Sequence, residues 1–297
     1  MKIAAACLAA VFSTVAISAA QQASTVCQFG GQLTPLPGIE EASGVALASG
    51  SPTRLWVIND SEGPILYSVD TDGHIVDRVM VAGARAYDWE DLSIGPCPAG
   101  RCVFIADIGD NAAQRPEIVI YRIPEPARGS STSAPAVAFH AKYPDGPHNA
   151  ESLFVDAEGR MFIITKGRTA DVYRFPASIV PDGLSTLEKA GRVPLVAGNS
   201  KTRHGDAFQG EHATGAALSP DRNWVAIRSN RGLWFFRASD FIAGKPGEPL
   251  WADMSGAREP QGEGIAFGPN QTIYLIGEGG SKRRPGSLRT ITCPLPR

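Results

Sequence analysis

Residues 88–107 read DWEDLSIGPCPAGRCVFIAD and contain the pattern from which the fold is predicted. An acidic segment, Asp88 to Asp91, leads into an apolar strand, and a turn rich in Gly and Pro separates that strand from a second one ending at Asp107. The second strand is apolar on both faces, which is typical of strands that neighbours cover on both sides. A third apolar run follows at residues 118–124, so the segment predicts consecutive antiparallel strands joined by hairpins.

The same pattern returns along the chain. Its copies begin at Glu41, Asp88, Ala150, Thr214 and Gln261, at intervals of about 47 to 64 residues. Each copy has three apolar strands, and fourth strands are predicted at residues 75–81, 136–143, 191–196 and 249–254. Repeated units of four short strands are the sequence pattern of a β-propeller. We therefore predict an all-β fold, a single β-propeller with five blades; a sixth would require that residues 198–213 contain a weak one.

The two ends of the chain are predicted to meet in the fifth blade. This blade lacks a fourth strand at the C-terminus, and residues 28–36 could supply it. Cys97 and Cys102 bracket a hairpin loop, so a disulfide between them leaves Cys27 to pair with Cys293 across the same seam. The alternatives are free thiols or a zinc site, for which the spacing is poor. The predicted ring is thus closed by the N-terminal strand and a Cys27–Cys293 disulfide.

The N-terminal segment has the pattern of a secretory signal peptide. Lys2 precedes an apolar run over residues 3–17, and the small residues Ser18, Ala19 and Ala20 follow it. We predict a cleaved signal peptide over residues 1–20, a β-propeller domain over residues 21–297, and a secreted or periplasmic protein. Paired cysteines agree with an oxidising compartment. No later run of about 18 apolar residues exists, so no integral membrane span is predicted.

Composition excludes several classes of protein and of partner. The chain has 32 Gly and 23 Pro among its 297 residues, which leaves little room for long amphipathic helices. The formal net charge is -2, so no nucleic-acid surface is predicted, and we expect a monomer with a small-molecule, envelope or extracellular partner. The sequence lacks the motifs of serine hydrolases, P-loop NTPases, zincins and dinucleotide-binding enzymes, so no organic cofactor is predicted.

Propeller geometry predicts where chemistry could take place. In each blade the first strand starts, and the second strand ends, at the same face beside the central channel. Side chains at these positions should converge on one funnel. Together with their loop neighbours, the positions are occupied by Glu41, Asn59, Asp60, Asp88, Glu90, Asp91, Asp107, Asp110, Asn111, His148, Asn149, Glu151, Lys166, Glu211, His212, Thr214, Arg228, Glu263 and Glu278.

The funnel is predicted to be rich in carboxylates. Carboxylates confined together repel one another unless they are protonated, paired or bridged by a cation, and oxygen ligands suit a hard ion such as Ca²⁺. We predict a divalent cation, Ca²⁺ first, and its predicted ligands are Glu41, Asp60, Glu90, Asp107, Asn111, Glu151 and Glu263. The alternative is a purely structural polar ring in which Lys166 and Arg228 form internal ion pairs.

Several phrases of the sequence resemble known propellers. Nearly the whole mature chain resembles an uncharacterised family of secreted bacterial β-propeller proteins, through the phrases EASGVA (41–46), LWVINDS (55–61), DWEDL (88–92), ADIGDN (106–111), YPDGPHNAESL (143–153) and QGEGIA (261–266). More distantly, the starts of the blades are similar to phytase-like (esterase-like activity of phytase) and SMP-30/gluconolactonase-type propellers.

The more distant resemblance implies a function. It implies a Ca²⁺ or other divalent ion in the channel and the hydrolysis of phosphoesters, lactones or esters. By position, the channel acids that it implies are Glu41, Glu90, Glu151 and Glu263. Thr214 in the fourth blade departs from that pattern, and the basic residues Lys166 and Arg228 do not clearly match a phosphate-binding set.

Two functions from different classes follow. In the first, a metal-assisted hydrolase, a channel cation polarises an ester or phosphoryl oxygen, and His148 or an adjacent carboxylate acts as the base. Lys166 and Arg228 would stabilise the developing negative charge. In the second, a non-catalytic extracytoplasmic propeller binds a glycan, peptide or protein partner, and the acidic ring holds only a structural ion.

Overall fold

The computed structural model describes residues 27–60, 62–167, 169–195, 212–281 and 283–296. Within these ranges the strands form five sheets, which are the blades of a propeller. The five predicted blades are therefore confirmed. The predicted signal peptide, residues 1–20, lies outside the described residues, as do residues 198–211 of the segment considered for a sixth blade.

The first two blades follow each other along the chain. Two short strands come first, β1 (Gln28–Phe29) and β2 (Thr34–Leu36). Blade 1 then contains β3 (Ala42–Leu47), β4 (Arg54–Asn59), β5 (Ile65–Asp70) and β6 (Ile75–Met80). Blade 2 contains β7 (Trp89–Cys97), β8 (Gly100–Asp107), β9 (Ile118–Pro124) and β10 (Val137–Lys142).

The other three blades carry two elements that were not predicted. Blade 3 contains β11 (Ala150–Val155), β12 (Met161–Thr165), β13 (Thr169–Arg174) and β15 (Glu188–Pro194), while β14 (Leu184–Thr186) pairs in parallel with β10 at the edge of blade 2. Blade 4 contains β16 (Gly215–Leu218), β17 (Trp224–Arg228), β18 (Gly232–Arg237), the short helix α1 (Ala238–Ile242) and β19 (Leu250–Asp253). Blade 5 contains β20 (Gln261–Phe267), β21 (Thr272–Glu278) and β22 (Gly286–Thr292).

The N-terminal strands close the ring. Both β1 and β2 pair antiparallel with β22, so the start of the chain completes blade 5 from the other end. A disulfide joins Cys27 to Cys293 at this seam, across 266 residues of sequence. A second disulfide joins Cys97 to Cys102 in the β7–β8 hairpin. Both predicted pairings are therefore confirmed.

Apolar clusters hold neighbouring blades together. The inner strands β3, β7, β11, β16 and β20 contact one another in a ring, and a buried cluster fills the space between each blade and the next. Between blades 1 and 2, for example, the fully buried rings of Trp56 and Trp89 belong to one cluster. Burying a large apolar side chain contributes about 1.5 to 3 kcal/mol, so these faces supply most of the stability.

Strand pairing fixes which side chains meet at the funnel. At one face, the start of each inner strand pairs with the end of the second strand, as in Trp89 with Asp107 and Gly215 with Arg228. We call this the funnel face, and the opposite one the basal face. In the part of the chain that is described, no helix has the length and apolar character that crossing a membrane requires.

Candidate functional site

Four inner strands carry an extra residue at the funnel face, and in three of them the irregular part contains a glutamate. In blade 2 the register shifts between Trp89 and Asp91, which leaves Glu90 as the extra residue of a β-bulge. The ladder shifts in the same way around Glu151 in blade 3 and around Glu263 in blade 5. A bulge re-aims a side chain and is over-represented next to active sites. Glutamates from three blades thus occupy equivalent positions.

Blades 1 and 4 present a hydroxyl where the other blades present a glutamate. Ser43 lies in the irregular part of β3, and its Oγ donates a hydrogen bond to the main-chain oxygen of Glu90 at 2.5 Å. Thr214 Oγ1 donates in the same way to the main-chain oxygen of Glu263 at 3.1 Å. In blade order the five residues are Ser43, Glu90, Glu151, Thr214 and Glu263, which we call the inner ring. Glu41, a predicted ligand, stands two residues before the ring position of its blade.

The glutamates of the inner ring repel one another. All three are buried. Burial, and then the charge of Glu151, raise the pKa of Glu263 to about 8. Burial, followed by the charges of Glu151 and Asp88, raises the pKa of Glu90 well above its ordinary value. Near neutral pH the carboxyl of Glu263 therefore tends to keep a proton unless a cation replaces it, and Glu90 holds a proton more strongly than an ordinary glutamate.

Lys166 places one positive charge against this ring. Its Nζ forms an ion pair with Glu151 Oε1. Burial opposes the ammonium form, but the charges of Glu151, Glu263 and Glu90 outweigh burial and raise the pKa of Lys166. Lys166 therefore stays charged. The other oxygen of the same carboxylate, Glu151 Oε2, is buried and has no hydrogen bond to any of the described residues.

Two aspartates form a hydrogen-bonded pair beside Glu90. Burial, followed by the charge of Asp88 and its hydrogen bond, raises the pKa of Asp60 to about 7, and the charges of Glu41 and Glu278 add to this effect. Gly109 makes room for the group, because a Cβ atom on Gly109 would collide with Asp88 Oδ2 and with Glu90 Oε1. Asp60, Asp88 and Glu90 hence form one acidic cluster. The predicted ligand set does not contain Asp88, although this residue is one of the predicted funnel positions and directly precedes β7.

Asp107 and Asn111 have partners at the edge of the funnel. Asp107 forms an ion pair with Arg115 at 2.9 Å and accepts a hydrogen bond from the main-chain N–H of Asp88 at 3.2 Å. Asn111 Oδ1 accepts a hydrogen bond from Asn149 Nδ2 at 3.1 Å. These contacts position the segment that carries Asp88. A ligand role for Asp107 and Asn111 stays a prediction.

His148 belongs to a different cluster of side chains. Its Nε2 lies 2.9 Å from Asp145 Oδ1 and 3.0 Å from the hydroxyl of Tyr173. Lys189 Nζ also donates to Asp145, at 3.2 Å. The described contacts of the imidazole are with this cluster and with the ring of Tyr143, and not with the inner ring. Its predicted role as a base therefore has no geometric support from these contacts.

Arg228 acts on the main chain of blade 5. It is fully buried; Nη1 donates to the oxygens of Gly264 at 2.6 Å and Ile276 at 2.7 Å, and Nη2 donates to Glu259 Oε2 at 2.5 Å. The guanidinium thus flanks the bulge that carries Glu263. The described contacts of Arg228 are thus with blade 5, and its predicted role in stabilising negative charge stays a prediction.

Asp91 joins three inner strands beneath the inner ring. Its carboxylate accepts hydrogen bonds from the main-chain N–H groups of Leu92 at 2.8 Å, Leu153 at 2.8 Å and Ala216 at 3.2 Å. Burial raises the pKa of Asp91, and the three N–H donors act against that rise. Sequence reasoning placed Asp91 at the funnel but gave it no role. The available signal is that Asp91 directly precedes the apolar part of β7.

The funnel carboxylates do not form a compact chelating group in the described part of the chain. There, the group of three ligand atoms that lie within 4.8 Å of one another is on the β5–β6 hairpin and consists of Asp70, Asp72 and His74. This group lies on a turn in which Asp70 Oδ1 accepts the main-chain N–H groups of Asp72 and His74. A cation in the funnel would have to draw the glutamates of the inner ring together.

Fold and funnel together define a class of protein: a five-bladed β-propeller with buried carboxylates at one mouth of its channel. No family model matches the chain. No curated protein is similar to it in sequence. Among solved structures, the PQQ-bound form of an aldose sugar dehydrogenase from Streptomyces coelicolor is similar in fold, with a TM-score of 0.51 and 11% identity over 93% of this chain and 100% of that chain.

Two further solved structures are similar to the chain at lower scores. Regucalcin from Agrobacterium tumefaciens, a calcium-binding protein, has a TM-score of 0.46 and 14% identity, and the match covers 92% of this chain and 99% of that one. A gluconolactonase from Xanthomonas campestris has a TM-score of 0.44 and 12% identity, with 92% and 88% covered. At such identities the similarity concerns the fold alone.

Proposed function

We propose that the protein is an exported hydrolase that uses a divalent cation, with Ca²⁺ as the first candidate, to cleave an ester, lactone or phosphoester in the funnel. The observation that carries this proposal is the excess of carboxylate in the inner ring, where, among the described residues, three buried glutamates face the ammonium of Lys166. The buried Glu151 Oε2, which has no hydrogen bond within the described residues, is a ligand atom for such a cation.

The donor set fits a hard divalent ion. Carboxylate oxygens are the ligands that Ca²⁺ and Mg²⁺ prefer. Glu90, Glu151 and Glu263 would hold the ion, and Asp60 and Asp88 lie beside them. A bound divalent ion polarises a carbonyl or phosphoryl oxygen and lowers the pKa of a coordinated water molecule.

The chain itself supplies the proton acceptor and a fixed positive charge. The hydrogen-bonded pair of Asp60 and Asp88 can take up a proton near neutral pH, because the pKa of Asp60 is raised to about 7. This pair is therefore a better base than His148. Lys166 keeps its charge and stands where it can stabilise a developing oxyanion.

Export is part of the proposal. The two disulfides are of the kind that persists in oxidising compartments, and a long-range bridge such as Cys27–Cys293 is typical of secreted proteins. Residues 1–20 have the composition of a signal peptide. Expression of the full chain with a C-terminal tag, followed by fractionation and N-terminal sequencing, tests export and the cleavage near Ala20.

The decisive experiment combines metal analysis with activity. Purified protein is analysed for bound Ca, Mg, Mn and Zn, and then assayed on aryl ester, lactone and phosphoester panels before and after chelation. We expect turnover on one panel that chelation abolishes and one metal ion restores. Glu90→Gln and Glu151→Gln should each lower kcat at least about 100-fold, whereas the exposed Glu158→Gln in the same blade as Glu151 should not.

Either of two results would overturn the proposal. The first is an absence of turnover on every panel with each metal ion supplied. The second is turnover that chelation leaves unchanged, because the carboxylate ring would then work without a cation. Melting curves of each variant, recorded alongside, separate loss of chemistry from loss of folding.

A second candidate function rests on the ion pair of Lys166 with Glu151 and on the wide spacing of the funnel acids. A carboxylate ring that already contains the ammonium of Lys166 can stabilise the fold or bind a ligand without catalysing a reaction. The protein would then be a propeller that binds a glycan, peptide or protein partner at the funnel face. Full folding stability after chelation, together with no turnover, is the outcome that distinguishes this function from the first.

A further inference from the structure

A cavity opens at the basal face, at the opposite end of the channel from the inner ring. Its volume is about 350 Å³, which falls in the range of small-molecule sites. We call it the basal cavity; all five blades line it, through residues 45–51, 92–94, 155–157, 216–220 and 265–267, with Pro96, Arg101 and Arg222.

The basal cavity is separated from the funnel by the contacts of Asp91. Leu92 and Ala216, whose N–H groups bond to the Asp91 carboxylate, both line the cavity. The hydrogen-bonded carboxylate therefore forms a floor between the two ends of the channel. A ligand in the basal cavity and a substrate in the funnel would occupy different sites, so the inference does not depend on the proposed function.

The walls of the basal cavity are mixed, with slightly more apolar than polar surface. They include Leu47, Ile94 and Leu218, which are only partly buried although they are large aliphatic side chains. Val155 and Phe267 complete the apolar surface. Apolar walls that stay accessible to water favour a ligand with an apolar body, because its burial removes that surface from water.

Two arginines stand at the rim on rigid turns. Arg101 belongs to the β7–β8 hairpin, which the Cys97–Cys102 disulfide closes, and its main-chain oxygen accepts a hydrogen bond from Glu125 at 3.0 Å. Arg222 ends a turn in which its N–H donates to the oxygen of Ser219 at 2.8 Å. The turns come from blades 2 and 4, which are not adjacent, so the two positive charges approach the cavity from different sides.

Neither arginine has an acidic partner within the described residues. The side chains of Arg101 and Arg222 are exposed and form no ion pair there. Asp156 is the acid that lines the cavity. Its carboxylate forms an ion pair with Arg160 Nε at 2.5 Å and accepts a hydrogen bond from the main-chain N–H of Arg160 at 2.9 Å. Glu125 and Asp221 bond to the lining residues Ser49 and Ser219, so the rim carries acids as well, but neither of them forms an ion pair with Arg101 or Arg222 among the described contacts.

We propose that the basal cavity binds a small amphiphilic anion, a carboxylate with an aliphatic or aromatic body. The apolar walls take the body, and Arg101 and Arg222 take the carboxylate, for which the guanidinium fork is well suited. A neutral alcohol of the same length would lose the charge-assisted hydrogen bonds. An ammonium of the same length would be repelled.

The test is a comparison of three six-carbon probes by ¹⁵N-edited NMR titration of the ¹⁵N-labelled protein. We expect hexanoate to shift the main-chain amides of residues 45–51 and 265–267 in saturable 1:1 binding, at least about tenfold more tightly than hexanol, with no saturable effect of hexylammonium. The proposal is overturned if hexanoate causes no saturable shift at these amides at concentrations up to tens of millimolar, or if the three probes bind equally.

Variants assign the binding to the rim and the walls. Arg101→Gln with Arg222→Gln should weaken hexanoate binding about tenfold or more and leave hexanol unchanged. Arg231→Gln removes one positive charge from an exposed arginine of blade 4 at the funnel face, and it should have no effect on hexanoate binding. Ala217→Phe should fill the cavity and block both probes. Hexanoate affinity that survives the double substitution would contradict the assignment.

Discussion

The carboxylate of Asp91 in blade 2 accepts a hydrogen bond from the main-chain N–H of Ala216 in blade 4, 3.2 Å away and 125 residues further along the chain. Blade 3 lies between these two blades and is held by the same carboxylate through Leu153. One fully buried side chain thus fixes the inner strands of three blades relative to one another. The inner ring, one residue away at Glu90, depends on that arrangement.

Replacing Asp91 should destabilise the whole propeller. Asp91→Ala leaves three buried N–H groups without an acceptor, and each unsatisfied group costs about 1 to 3 kcal/mol. We expect the free energy of unfolding to fall by about 3 to 5 kcal/mol in denaturant titrations. The exposed Asp72→Ala serves as the control, with a change below about 0.5 kcal/mol. Equal stability of the two variants would show that Asp91 does not link the blades.

Much of the fold could be predicted because it follows from local patterns. Apolar strands of about six residues, separated by Gly and Pro turns, marked the blades, and strand polarity then placed Asp107 and Arg228 at the same face as Glu90. The disulfides followed from the position of the cysteines at the seam and in a hairpin. By contrast, β14 and α1 are too short to leave a periodic pattern.

The site could be predicted only in part, since its geometry depends on long-range contacts. Spacing alone could not show that bulges select Glu90 and Glu263, or that Ser43 rather than Glu41 takes the equivalent position in blade 1. Nor could it show that the Arg228 guanidinium turns inward to the main chain of blade 5. The positions of these side chains are set by contacts with residues far away in the sequence.

Stability without metal should decrease as pH rises. The folded-state pKa of Glu263 is raised to about 8, whereas the ordinary value is about 4.3. The folded protein therefore binds more protons than the unfolded chain between those values, and the stabilisation present at lower pH is lost as pH rises towards 8. Each such proton changes the free energy of unfolding by at most about 1.4 kcal/mol per pH unit.

Melting curves of the chelated protein from pH 5 to 8 test this dependence. Glu263→Gln should flatten the curve, and the exposed Glu248→Gln should leave it as in the wild type. A divalent ion should restore stability at pH 8 in the wild type more than in Glu263→Gln. A melting temperature that rises from pH 5 to 8 in the chelated wild type would contradict the predicted sign.

Lys166 should compete with a divalent ion for the inner ring. Lys166→Met removes the positive charge nearest to Glu151, so we expect at least about tenfold tighter binding of the divalent ion in calorimetric titrations. The chelated variant should lose about 3 to 5 kcal/mol of stability because Glu151 is left buried without its partner. Turnover should also fall, since the fixed charge is gone.

The control for this substitution is Lys189→Met. Lys189 forms ion pairs with Asp145 and Asp171, but its side chain is 40% exposed, so its loss should cost at most about 1 kcal/mol. Weaker binding of the ion by Lys166→Met than by the wild type would mean that the ammonium supports the cation site instead of competing with it.

The two disulfides should contribute very differently to stability. In the chain-entropy model, the bridge between Cys27 and Cys293, which spans 266 residues, stabilises the fold by about 5 to 6 kcal/mol. The bridge between Cys97 and Cys102 spans 5 residues and contributes about 2 kcal/mol. Denaturant unfolding of the two double Cys→Ser variants measures both values. A larger loss in the Cys97/Cys102 variant would show that the hairpin, and not ring closure, limits stability.

Gly109 should be required for the acidic cluster although it carries no side chain. A Cβ atom at this position would collide with Glu90 Oε1 and with Asp88 Cγ and Oδ2, so both carboxyl groups would have to shift. Gly109→Ala should therefore fold with a change in stability of about 1 kcal/mol or less, yet displace the carboxylates and weaken divalent-ion binding about tenfold.

Gly63→Ala is the matched control, because a Cβ on Gly63 meets no atom within 4 Å. Calorimetric titration with Ca²⁺ gives the affinity of each variant, and denaturant unfolding gives its stability. Unchanged affinity in Gly109→Ala would place the cation elsewhere than beside Glu90, since the substitution alters that corner of the funnel and leaves the rest of the inner ring intact.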